Sequence, residues 1–122
     1  MKFHCEITGW GPEAVQFLTE PDLNSIIIFN EGVPPELAEM AVLHKPAPLL
    51  AEPVVGDTLS ICGKVFTISA VGSEVVNTLK ELGHCTLNFK GGPEPERPGC
   101  IMLEGDELTP EDIVAGATIE IF

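Results

Sequence analysis

The sequence predicts a small, mainly β fold, a closed or nearly closed barrel of about seven short strands with one clear α-helix over residues 73–82 and short helical turns. Three observations carry this. Short apolar or alternating runs recur between Gly/Pro turn clusters, and only one segment has a sustained helical period. At 122 residues, with 44% of them hydrophobic, the chain also has the length of a single hydrophobic core. Residues 1–122 are therefore read as one domain.

In chain order, residues 2–8 alternate weakly and form a first strand, ended by Gly9-Trp10-Gly11-Pro12, and Pro12 suits the opening of a short helix through Leu18. Residues 24–30 are apolar throughout Ile26–Phe29, the mark of a strand covered on both faces. Glu31–Pro35 is a turn, 36–40 a short helix, and 41–45 becomes extended before Pro46 and Pro48 interrupt regular structure. Strands at 58–62 and 65–71 are joined by Gly63-Lys64 as a tight hairpin, with Phe66, Ile68 and Ala70 on one face.

The helix over 73–82 takes Ser73 as N-cap, Val75, Val76, Leu79 and Leu82 as its apolar stripe, and Gly83 as its stop. Strands at 85–89, 100–104 and 118–122 complete the set. A surface loop spans 91–99, a turn falls at 109–112, and Ile119 and Ile121 face inward.

Charge and composition exclude several functions. Six Lys and Arg against 19 Asp and Glu give a net charge of −13, so no basic patch is available for a phosphate backbone, and nucleic acid is excluded as a partner. The longest apolar run, Ile26–Phe29, is far short of the roughly 20 residues of a membrane-spanning helix, and the N-terminus has no signal-peptide core. A cytoplasmic protein without membrane insertion is expected. Cys5, Cys62, Cys85 and Cys100 lie far apart with no Cys-x-x-Cys, and read as thiols buried as small hydrophobes.

No phosphate-binding loop, dinucleotide fingerprint or nucleophile elbow is present, and neither His4-Cys5 nor His84-Cys85 can place both side chains on one metal ion within a strand. Three histidines remain as acid-base or nucleophilic candidates, because imidazole titrates near neutrality and its neutral form carries a nucleophilic nitrogen. His4 lies in an ordinary strand, and His84 at a helix-to-strand junction. His44 precedes Lys45-Pro46-Ala47-Pro48, a stiffened segment expected to hold the ring exposed and still.

The stretch Ala70-Val71-Gly72-Ser73, Asn77, Leu79-Lys80-Glu81-Leu82-Gly83-His84, Thr86-Leu87 and Phe89 resembles the signature of the enzyme IIA components of the glucitol/sorbitol phosphotransferase system (PTS). The run Phe29, Glu31-Gly32, Pro34, Glu36-Leu37, Glu39 and His44 is similar to the segment leading to that family's phosphorylated histidine, and Pro98-Gly99, Pro110, Asp112-Ile113 and Gly116 continue the similarity. Lys45-Pro46 and the loop over 91–98 depart from it.

The resemblance implies a phosphocarrier that accepts a phosphoryl group from the phosphohistidine protein HPr and passes it to the IIB domain of a IIB/IIC sugar transporter. It would use no cofactor and no metal, and would not bind the sugar itself. His44 would then be the phosphorylated nucleophile, His84 a phosphate-stabilising partner, and Lys45, with backbone N–H groups, a further source of positive potential. The alternative is a noncatalytic β-barrel module that binds or regulates a protein. A hydrolase or isomerase using His44 and His84 as an acid-base pair ranks below both, for want of paired carboxylates.

Overall fold

The computed structural model describes residues 1–122. Eight strands close into a barrel: β1 (Phe3–Trp10), β2 (Ser25–Asn30), β3 (Ala41–His44), β4 (Thr58–Ile61), β5 (Lys64–Val71), β6 (Cys85–Asn88), β7 (Cys100–Gly105) and β8 (Thr118–Ile121). Around the barrel the order is β1-β3-β2-β6-β7-β5-β4-β8, with β8 returning to β1. The strand beyond the expected seven is β3, the extended segment before Pro46.

Two neighbouring pairs are parallel, β2 with β3 and β6 with β7; the remaining pairs are antiparallel. A parallel pair cannot be closed by a hairpin, so each needs a connection that travels the height of the barrel outside the wall. Between β2 and β3 that connection contains a one-turn helix at Pro35–Ala38; between β6 and β7 it is the loop over 89–99. In chain order the helices are α1 (Gln16–Thr19), α2 (Pro35–Ala38) and α3 (Val75–Leu82).

The interior is filled by side chains. A single cluster of 22 buried residues takes Phe3, Cys5 and Ile7 from β1, Ile26 and Ile28 from β2, Leu59 and Ile61 from β4, Phe66 and Ile68 from β5, and Ile119 and Ile121 from β8. Period-2 alternation directs these side chains to one side of each strand.

Local differences from the sequence reading have identifiable causes. The hairpin turn is Cys62-Gly63, with Ile61 paired to Lys64, and both turn residues have positive φ (53° and 80°), as a two-residue primed turn requires. The register of β5 against β7 shifts between Ile68 and Ala70. Ala70 therefore leaves the face of Phe66 and Ile68 and packs with Cys100 and Met102 in a separate cluster.

The helix expected over 73–82 begins at Val75. Its N-cap is Glu74 and no side chain caps it, so Ser73 does not serve as expected. Val75 and Leu79 are buried, whereas Leu82 is exposed. Gly83 ends the helix in the left-handed region at φ 62°, as read from the sequence.

Candidate functional site

His44 is the last residue of β3, in register with Ile7 of β1 on one side and Asn30 of β2 on the other. It shares the parity of Val42, a core residue, so its side chain enters the barrel. The ring is 0% exposed. This corrects the expectation of an open ring: the prolines constrain Lys45 and the residues after it, while the strand reaches His44 itself and its parity turns the imidazole inward.

The buried ring is held at both nitrogens by main-chain carbonyls. Nδ1 lies 2.8 Å from the Lys45 oxygen and Nε2 lies 2.7 Å from the Gly83 oxygen. The Phe3 ring meets it edge-on, with centroids 6.0 Å apart. A neutral imidazole has one N–H, so only one of these carbonyls can accept a hydrogen bond from it at a time. The other contact then sets a ring lone pair against an oxygen.

Gly83 is indispensable to this arrangement. A Cβ there would collide with Asn30 Oδ1 and lie 2.7 Å from His44 Cε1, besides being strained at positive φ. Asn30 Oδ1 is buried without a hydrogen-bond partner. The sequence reading passed over Asn30; its one signal was a polar residue ending an apolar strand on the inward parity of Ile26 and Ile28.

His84 lies just across the Gly83 peptide, on the outer side of the wall. Its ring stacks on Phe29 with centroids 4.0 Å apart, and its Nδ1 is 3.2 Å from the Ile28 carbonyl. Since a carbonyl only accepts, Nδ1 carries the proton, and Nε2, which has no protein partner, offers its lone pair. Burial lowers the ring's pKa below its ordinary 6.5, partly offset by the Ile28 hydrogen bond. The structure thus joins His44 and His84 through one residue while directing their rings to opposite sides of the wall.

Lys45 is exposed, and its Nζ lies 3.3 Å from Glu6 Oε2, so its charge is shared with a carboxylate. His4 is an outer-face residue near Glu120. The four cysteines are free thiols; burial pushes Cys5 up to about 12 and raises Cys85, Cys62 and Cys100 as well, which keeps them protonated and unreactive at neutral pH.

Comparison with known proteins bears on this site. Residues 2–120 match the family model described as the PTS system glucitol/sorbitol-specific IIA component. The chain is 32% identical over 118 residues to the PTS system glucitol/sorbitol-specific EIIA component of Escherichia coli (strain K12), covering 97% of this chain and 92% of that protein. The protein of the same description from Shigella flexneri matches to the same extent. Among solved structures, the PTS system IIA component from Enterococcus faecalis V583 is similar with a TM-score of 0.77 and 25% identity, covering 96% of this chain and 97% of that one.

Proposed function

Because the chain belongs to the family of PTS glucitol/sorbitol-specific IIA components, we propose that it is a cytoplasmic phosphocarrier that takes a phosphoryl group from phospho-HPr onto His44 and delivers it to the IIB domain of a sugar-alcohol transporter. The observation that carries the reading is the fixing of the His44 ring between two main-chain carbonyls, Lys45 at Nδ1 and, at Nε2, Gly83 at the end of α3. With the proton on Nδ1 and donated to the Lys45 oxygen, the Nε2 lone pair is the nucleophile. It attacks phosphorus as the donor's N–P bond breaks and its electron pair returns to the donor imidazole, so no proton needs to move.

Attack requires the Gly83 carbonyl to leave Nε2. Gly83 ends α3 and can change conformation without a side-chain penalty, so local opening of the helix end is the required step. With the Nδ1–H tautomer, opening also relieves the lone-pair opposition between Nε2 and the Gly83 oxygen. Main-chain N–H groups freed at 83–84, with the His84 ring nearby, would then hold phosphoryl oxygens.

One observation favours a second reading. His84 already meets the requirements of a nucleophile, with Nδ1 anchored and a neutral ring whose Nε2 is unpartnered. Incubation with phosphoenolpyruvate, enzyme I and HPr separates the two. The chain should form an acid-labile, base-stable phosphoprotein that is abolished by His44→Ala and by the more conservative His44→Gln, and only slowed by His84→Ala. Full labelling of a folded His44→Gln, with loss in His84→Ala, would move the nucleophile to His84.

A further inference from the structure

A groove of about 410 Å³ runs along the outer wall beside the strand that ends in His44, lined by Trp10, Pro12, Pro35, Ala38, Glu39 and Leu43. Its frame is fixed by close backbone packing. Gly11 donates to the Ala41 carbonyl at 3.0 Å and Glu13 N–H to the Glu39 carbonyl at 3.0 Å, and any Cβ on Gly11 would collide with the Ala38 and Glu39 carbonyls. Trp10, the chain's one tryptophan, is 45% exposed at its edge, and Leu37 and Met40 are exposed on the adjoining helix and turn. A large aromatic left half in water beside a shallow groove on a hydrogen-bonded frame marks an anchoring position for another protein.

The charge around the groove specifies that protein. Between Lys2 and Lys45 the sequence has no Lys or Arg, yet carries Glu6, Glu13, Glu20, Asp22, Glu31, Glu36 and Glu39. Of these seven only Glu6 is in an ion pair, with Lys45; Glu39 lines the groove without a cationic partner, and Glu13 and Glu36 follow its Pro12 and Pro35 in the chain, also unpaired. The matching surface is an apolar side chain surrounded by Lys and Arg.

We propose that this groove docks the phosphoryl donor, which seats an apolar residue against Trp10 and Leu43 and meets the carboxylates with basic residues; the proposal rests on the phosphocarrier reading above. Leu43 precedes His44 and points to the opposite face of the same strand, so a seated donor lies against the wall that holds the ring.

Steady-state labelling by phospho-HPr tests this. Glu36→Gln with Glu39→Gln, two exposed changes that leave the core intact, should raise KM for phospho-HPr by about tenfold with kcat unchanged. Trp10→Ala should do the same. In the unmodified chain, Trp10 emission should shift to the blue on titration with HPr, and the shift should weaken between low and high NaCl. Unaltered KM in all these variants, with the wild-type chain labelled normally, would overturn the groove while leaving the phosphocarrier reading standing. A defect confined to delivery to IIB would overturn it too, by assigning the groove to the acceptor. Absence of labelling in the wild-type chain would instead overturn the phosphocarrier reading.

Discussion

At the residue scale, Gly83 controls the histidine more directly than any charged group does. Gly83→Ala forces a Cβ against Asn30 and His44 and imposes positive φ on an L side chain, so we expect a loss of about 1–3 kcal/mol of stability from strain and displacement. Chemical denaturation should report that loss, and phosphoryl acceptance should fall further than stability does, because the helix end loses the conformational freedom it needs to uncover Nε2. An unchanged acceptance rate in a folded Gly83→Ala protein would contradict the role given to this cap. His84 supplies a pH signature. Its pKa is lowered on folding, so between that value and 6.5 the unfolded chain binds more protons. Its contribution to stability is therefore complete above 6.5 and is lost as pH falls from 6.5 through the folded value. Imidazole NMR titration should place the His84 midpoint below 6.5, and His84→Gln should flatten the stability slope in that window.

At the scale of elements, α3 illustrates what can and cannot be read from a sequence. Its apolar period and the Gly83 stop are local properties, and both appear in the structure. Ser73 reads equally well as an N-cap, but the first turn starts two residues later and leaves its side chain out of the cap. Ser73→Ala should therefore change stability by less than about 0.5 kcal/mol, whereas Leu79→Ala, in the buried core, should cost about 2–5 kcal/mol. Comparable losses from the two in denaturant melts would show that the helix is capped and packed differently. The β5 bulge was invisible for the opposite reason. Phe66, Ile68 and Ala70 alternate perfectly in sequence, and only the pairing with β7 shows where the register shifts.

For the whole molecule, the barrel class and nearly all its strands were legible because each strand announces itself by alternation and turn residues. The order of strands was not. Two parallel pairs bring together segments that no hairpin joins, and pairing of that kind leaves no local trace. The same gap hid the burial of His44, since the side of the wall a terminal strand residue faces depends on its neighbours β1 and β2. Charge, by contrast, is additive and was read correctly in sign from composition, but the meeting of Glu39 with Trp10 across one groove needed the fold.

The seam between β1 and β8 has a bearing on biogenesis. β8 lies between β1 and β4, hydrogen-bonded to both, so the earliest strand made is finished only by the latest. Until Thr118–Ile121 has emerged from the ribosome, a nascent chain has two bare strand borders and an unsealed interior, and the cylinder can shut only once that segment is free to pair with both.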